Sequence, residues 1–178
     1  TSLDSTGLRD RLRDLPRQCE TGWRLGWTFP LQNRLAFPLP EEGPDKVVIC
    51  GMGGAAIAGD LLADLVSGQP TVPILVVRDF RLPFLLDRRS LAIVCSYSGN
   101  TEETLSMFHQ TLRSEARLMV VTGGGLLEDE ARVCFLPGKV PLLTIDIPGE
   151  PRSAVGYTLL LLLGILGRLG LVETTEDD

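Results

Sequence analysis

Ser96-Tyr97-Ser98-Gly99-Asn100-Thr101-Glu102-Glu103-Thr104 is the stretch whose reading decides the fold. It follows an apolar run at residues 91–95 and precedes a polar segment with helical spacing, so it reads as a strand-to-helix turn crowded with hydroxyls and backbone N–H groups. The first N–H groups of a helix lack intrahelical partners and carry about half a positive charge, which favours an anion there. Ser96, Ser98 and Thr101 add neutral donors at the same spot. Ser, Thr and Asn are also ordinary helix caps, so this turn alone does not separate a phosphate cradle from a well-capped helix. A second turn, Gly51-Met52-Gly53-Gly54, stands in the same way after an earlier strand and favours the cradle.

Working outward, residues 46–50 form a short β-branched run that ends directly in glycines, the pattern of a strand buried on both faces. Residues 55–66 have helical spacing. Residues 72–77, 91–95, 118–121 and 133–136 read as the second to fifth strands, with 142–147 a candidate sixth. Helical patterns fall at 101–116 and, more weakly, at 124–131. Strand and helix in this alternation predict a parallel sheet covered on both faces, a three-layer α/β/α architecture. Upstream, residues 3–27 carry leucines among charges and fit an amphipathic helix broken or restarted at Pro16, followed by a proline-rich connection over 28–45. The leucine-rich segment 153–170 contains Gly156, Gly164 and Gly167 and meets Arg168 too early to span a bilayer, which needs about 20 apolar residues. It reads as a buried helix whose apolar surface calls for a cover, from a partner chain or a second domain. The chain thus divides into an N-terminal helix and connection (1–45), an α/β unit (46–170) and an acidic tail or linker (171–178).

The chain has 178 residues, enough for one full core, and a formal net charge of −6, which speaks against nucleic acid or an anionic membrane as partner. An anionic ligand must then be gripped by local donors. Its four cysteines show no C-x-x-C spacing and read as small core residues of a reducing, cytoplasmic compartment. With one histidine, His109, neither a metal site nor Ser-His-Asp chemistry is expected, and no secretion signal pattern precedes the first helix.

Gly51-Met52-Gly53-Gly54-Ala55-Ala56 formally satisfies G-x-G-x-x-A, the dinucleotide fingerprint. Arg78, after the second strand, would suit a 2′-phosphate, so an NADP-binding domain stands as one alternative. The serine-rich turn after the third strand, which a dinucleotide fold does not require, stands against it. Three segments taken together carry a resemblance: Gly51 to Gly54 followed by Ala58-Gly59-Asp60, then residues 96–104, then Pro151-Arg152-Ser153-Ala154-Val155-Gly156-Tyr157. In this order they resemble the sugar isomerase (SIS) domain of the bifunctional phosphoglucose/phosphomannose isomerases.

The resemblance implies a flavodoxin-like sheet of five parallel strands and a phosphosugar (glucose 6-phosphate, fructose 6-phosphate or mannose 6-phosphate) at the strands' carboxyl ends. It implies that Ser96, Ser98 and Thr101, helped by Gly53 and Gly54, hold the phosphate, that Arg152 is the substrate-binding arginine, and that no cofactor is used. The family often carries Ser where this chain has Ala55, so one hydroxyl is missing. Its enzymes have two SIS domains, with the catalytic glutamate, histidine and lysine in the second, and a homodimer is expected. This chain then corresponds to an N-terminal half with no catalytic residue assigned: Glu150 reads as a helix-start charge and His109 as a solvated or packing residue. A regulatory phosphosugar-sensing module is the other alternative, although residues 1–45 show no basic recognition helix.

Overall fold

A computed structural model describes residues 4, 7–31, 43–69, 71–134, 141–146 and 150–174. Five strands, β1 (Lys46–Gly51), β2 (Ile74–Val77), β3 (Ser90–Ser96), β4 (Arg117–Thr122) and β5 (Leu142–Thr144), form one sheet in the order β2-β1-β3-β4-β5. Every pair is parallel. The helices are α1 (Leu8–Arg13), α2 (Leu15–Thr28), α3 (Gly53–Leu65), α4 (Glu102–Leu112), α5 (Gly125–Cys134) and α6 (Val155–Arg168), with a 3₁₀ turn at Pro151–Ser153.

Strand alternation sorts the core into two layers. Val47, Ile49, Leu91, Ile93, Met119 and Val121 face α3 and α6, whereas Val48, Cys50, Ala92, Val94 and Val120 face Met107 and Phe108 of α4 and Leu127 and Ala131 of α5. The expected three-layer, five-stranded fold is thus present. The fifth strand, however, is Leu142–Thr144 and not 133–136. Val133 lies in the last turn of α5 and is 85% exposed, while Phe135 and Leu136 lie outside the described residues. The β-branched and aromatic character of that run suggested a strand, but the burial of Leu127 and Ala131 at i, i+4 extends the helix through Cys134. The N-terminal helix does restart at Pro16, which occupies the first turn of α2, where its missing N–H is no loss.

The leucine-rich α6 finds its cover within the chain. Its Leu161, Leu162, Ile165 and Leu166 are fully buried, and α2 runs alongside it in the same direction. A Cβ on Gly22 would lie 2.3 Å from the Tyr157 carbonyl oxygen, and one on Gly26 would lie 2.5 Å from that of Leu161. The two backbones therefore touch along a glycine seam. Arg168 Nη1 closes its far end by donating to the carbonyls of Gly26 (3.1 Å) and Phe29 (2.6 Å). Among the described residues no helix is long and apolar enough to cross a membrane.

Overpacking that seam should be costly. Gly26→Val is expected to lower stability by about 1–3 kcal/mol, several degrees in Tm. Gly68→Ala, whose Cβ would meet nothing within 4 Å, should stay within about 0.5 kcal/mol of wild type. Equal melting curves for the two variants would refute the seam.

Two buried thiols give the fold an alkaline weakness. Cys50 and Cys95 are 0% and 1% exposed, and burial pushes Cys50 up to about 12 and raises Cys95 as well. Between the ordinary thiol range and those values the unfolded chain has lost a proton that the folded chain keeps, so stability must fall as pH rises, by up to about 1.4 kcal/mol per pH unit per thiol. Urea titrations from pH 8 to 10.5 should show that Cys50→Ala flattens this decline; an unchanged slope would contradict the assignment.

Candidate functional site

β1 and β3 are neighbours from which the chain departs to opposite faces of the sheet, into α3 and α4. Ligands of open α/β sheets bind outside the carboxyl ends of the strands at such a switch point. Gly51 pairs with Cys95 in register, so the glycine turn and the serine turn emerge side by side.

In the serine turn, Ser96 ends β3 and Thr101 is the N-cap of α4, with extended backbone and no side-chain capping bond. Instead the hydroxyls converge: Ser96 Oγ donates to Thr101 Oγ1 at 3.5 Å, and Ser98 Oγ lies 3.4 Å from Thr101 Oγ1. The turn is fixed from within by two backbone donations, Gly99 N–H to Ser96 Oγ at 3.1 Å and Asn100 N–H to Ser98 Oγ at 3.2 Å. A neighbouring turn fixes it from outside. Asn100 Oδ1 accepts from the Leu126 N–H at 3.0 Å, and the Gly99 carbonyl accepts from the Leu127 N–H at 2.9 Å. Glu102 and Glu103 occupy the first turn of α4 and complement its dipole, so an incoming dianion depends on direct donors more than on the field.

Gly53 and Gly54 open α3, whose N-cap Met52 is likewise extended with no side-chain cap. A Cβ on Gly54 would sit 2.5 Å from the Pro151 carbonyl oxygen and 3.5 Å from the Arg152 nitrogen. The glycine therefore admits the Pro151–Ser153 turn and brings Arg152 beside the glycine turn. All six residues singled out in the sequence thus gather around the ends of β1 and β3. Arg152 is exposed and has no hydrogen bond or ion pair with any described residue. Ala55, Ser96, Tyr97, Thr122, Pro151 and Thr158 line a hollow whose enclosed part is about 20 Å³, room for a single water, so anything larger would have to lie over its mouth.

Sequence reasoning passed over three contributors. The turn Thr122-Gly123-Gly124-Gly125 after β4 buttresses the serine turn, and its signal was available: glycines directly after a strand, as at Gly51. Tyr97 sits in the hollow; partial burial raises its pKa against the opposing pull of nearby Arg11. Arg11 itself, on α1, pairs with Glu150 from 139 residues away, a contact that no local pattern announces. His109 meets Glu130 between α4 and α5, as a part-exposed surface pair. Arg78, the candidate for a 2′-phosphate, is paired with Asp60. Among the described residues no group of His, Cys, Asp and Glu could hold a metal ion.

A parallel sheet in this order, with a hydroxyl turn and a glycine turn at its switch point, is the architecture of a sugar isomerase (SIS) domain. No family model matches the chain. The bifunctional phosphoglucose/phosphomannose isomerase of Caldicellulosiruptor bescii is 36% identical over 165 residues, 93% of this chain and 46% of that protein. The enzyme of the same name from Thermoplasma acidophilum is 39% identical over 114 residues, 63% of this chain and 33% of that protein. Among solved structures, tagatose-6-phosphate ketose/aldose isomerase from Escherichia coli matches with TM-score 0.69 at 16% identity, over 97% of this chain and 50% of that one. Protein MJ1247 of Methanococcus jannaschii, described as a 3-hexulose-6-phosphate isomerase by inference, matches with TM-score 0.59 at 15% identity, over 91% of this chain and 92% of that one. The chain therefore has the SIS fold of phosphosugar isomerases, and over most of its length its sequence resembles the bifunctional phosphoglucose/phosphomannose isomerases. It spans less than half the length of the two relatives named.

If the three hydroxyls form the anion site, Ser98→Ala should weaken a phosphosugar at least about tenfold, since a hydrogen bond to a charged group contributes about 1.5–3 kcal/mol. Ser98 is exposed, so the melting temperature should hardly move. Unaltered glucose 6-phosphate binding in calorimetry would remove the site.

Proposed function

We propose that the chain binds a phosphorylated hexose and forms the phosphate-gripping, N-terminal half of an aldose–ketose isomerase acting on glucose 6-phosphate and mannose 6-phosphate. The observation that carries this reading is the convergence of Ser96, Ser98 and Thr101 within 3.4–3.5 Å contacts at the uncapped start of α4. Hydroxyls left free of capping, beside unpaired helix N–H groups, suit a dianion without a lysine. Ser96, Ser98, Thr101, Gly53 and Gly54 would take the phosphate, and Arg152 a substrate oxygen. In this reading 46–170 is the binding unit, 1–45 its N-terminal cover and 171–178 a tail. The protein is cytoplasmic and works with a second SIS domain as a homodimer.

The reaction is ring opening followed by proton transfer between C1 and C2 through a cis-enediol. It needs a base within hydrogen-bond reach of the transferred proton and a donor to the sugar oxygen. The Glu150 carboxylate is engaged by Arg11, and His109 by Glu130. The polar groups gathered at the strand ends serve the phosphate end of the substrate, so the acid and base come from the second domain. The isomerase reading is favoured over phosphosugar sensing and over NADP binding because the relatives matched in sequence are isomerases and Arg78 is paired.

Positioned acid-base catalysis is worth typically about 10²–10⁴-fold. The purified chain should therefore bind fructose 6-phosphate in calorimetry while showing isomerase activity near background in a coupled assay. Robust turnover by the chain alone would overturn the division of labour, and absence of phosphosugar binding would overturn the reading itself.

A further inference from the structure

Arg152 is free to meet a ligand although a carboxylate, Glu150, stands only two residues before it. The structure shows what occupies that carboxylate. Arg11 Nη2 donates to Glu150 Oε2, and Arg11 Nε donates to Ser153 Oγ at 3.1 Å, on the other flank of the Pro151–Ser153 turn. Ser153, 4% exposed, passes the bond on by donating from Oγ to the Glu150 carbonyl at 2.8 Å. Arg11 is itself anchored: its carbonyl accepts from Gln18 Nε2 at 2.8 Å. Gln18 is 3% exposed in α2, with its Cβ 3.1 Å from where a Cβ on Gly156 would lie. A continuous set of contacts therefore runs from the α2–α6 seam through Arg11 to the turn that carries Arg152.

On the reading of Arg152 as a phosphosugar ligand, we propose that Arg11 is its positioning residue: by holding the Glu150 carboxylate, it keeps that charge from pairing with Arg152 and leaves the guanidinium for the substrate. Two opposite charges two residues apart on a surface turn have the reach to pair, and a guanidinium so paired meets an incoming substrate oxygen only after that pair breaks. Arg11 supplies the competing cation in a better-fixed place. Its side chain is 24% exposed and makes two charge-assisted bonds to one turn.

The test is fructose 6-phosphate affinity, measured by calorimetry on the full chain and a small set of variants. R152A should weaken binding at least about tenfold and R11Q about fivefold. Adding E150Q to R11Q should restore affinity to within about twofold of wild type, a rescue that a merely structural role for Arg11 would not give. R11Q added to R152A should cause no further loss. If R11Q changes nothing while R152A weakens binding, or if E150Q fails to rescue R11Q, the positioning role is overturned and the reading of Arg152 survives. If R152A binds as wild type does, that reading fails and this proposal with it. Should R11Q not fold, E150Q alone decides: it should bind at least as tightly as wild type, and a fivefold loss overturns the proposal.

Discussion

The backbone of the serine turn can lie where it does only because residue 99 has no side chain. Gly99 adopts φ +68°, and a Cβ there would fall 1.6 Å from the Gly124 carbonyl oxygen. At that distance nothing relaxes; any other residue would push the turn off the β4–α5 connection that braces it. The bracing is reciprocal, since Leu126 and Leu127 donate their N–H groups to Asn100 and Gly99. These bonds hold the start of α4 in register with the start of α5. The hydroxyls of Ser96, Ser98 and Thr101 are thereby fixed relative to the sheet, which would lower the ordering cost of gripping the proposed ligand.

A second consequence of close backbone approach appears on the other face. The glycine seam between α2 and α6 lets a leucine-rich helix be covered by an N-terminal helix of the same chain, and the packing that buries Leu161 to Leu166 also places Gln18 and Arg11 beside the Pro151–Ser153 turn. Burial of the core and arrangement of the site are here one set of contacts. The net charge of −6 makes this local arrangement matter: with the overall field unfavourable to anions, the few cations near the strand ends count for more than their number.

The residues spoke clearly wherever local chemistry forces structure. β-Branched runs ending in glycine or serine located β1 and β3, and hydroxyls at a helix start located the candidate site. They spoke misleadingly at 133–136, where residue type suggested a strand while the i, i+4 burial of Leu127 and Ala131 made α5 longer. They were silent on α2 covering α6, because Gly22 and Gly26 look like helix-weakening residues until the partner backbone is in place. Arg11 was invisible for a related reason. Its role depends on two segments far apart in sequence meeting at one turn, and nothing within a helical period of it marks that encounter.

Ala55 shows how a small departure bears on the whole. It is 8% exposed, lies in the first turn of α3 and lines the hollow beside Ser96, where the SIS resemblance often places a serine. A methyl there donates nothing, so in the proposed site the glycine turn would offer backbone N–H groups alone, and the three proposed hydroxyl donors lie in the serine turn. One hydrogen bond to a charged group is worth about 1.5–3 kcal/mol, comparable to what a freed guanidinium would add. On the proposed reading, the missing hydroxyl would raise the importance of Arg152, and of whatever keeps Arg152 unpaired, in a chain whose glycine turn brings no side-chain donor at position 55.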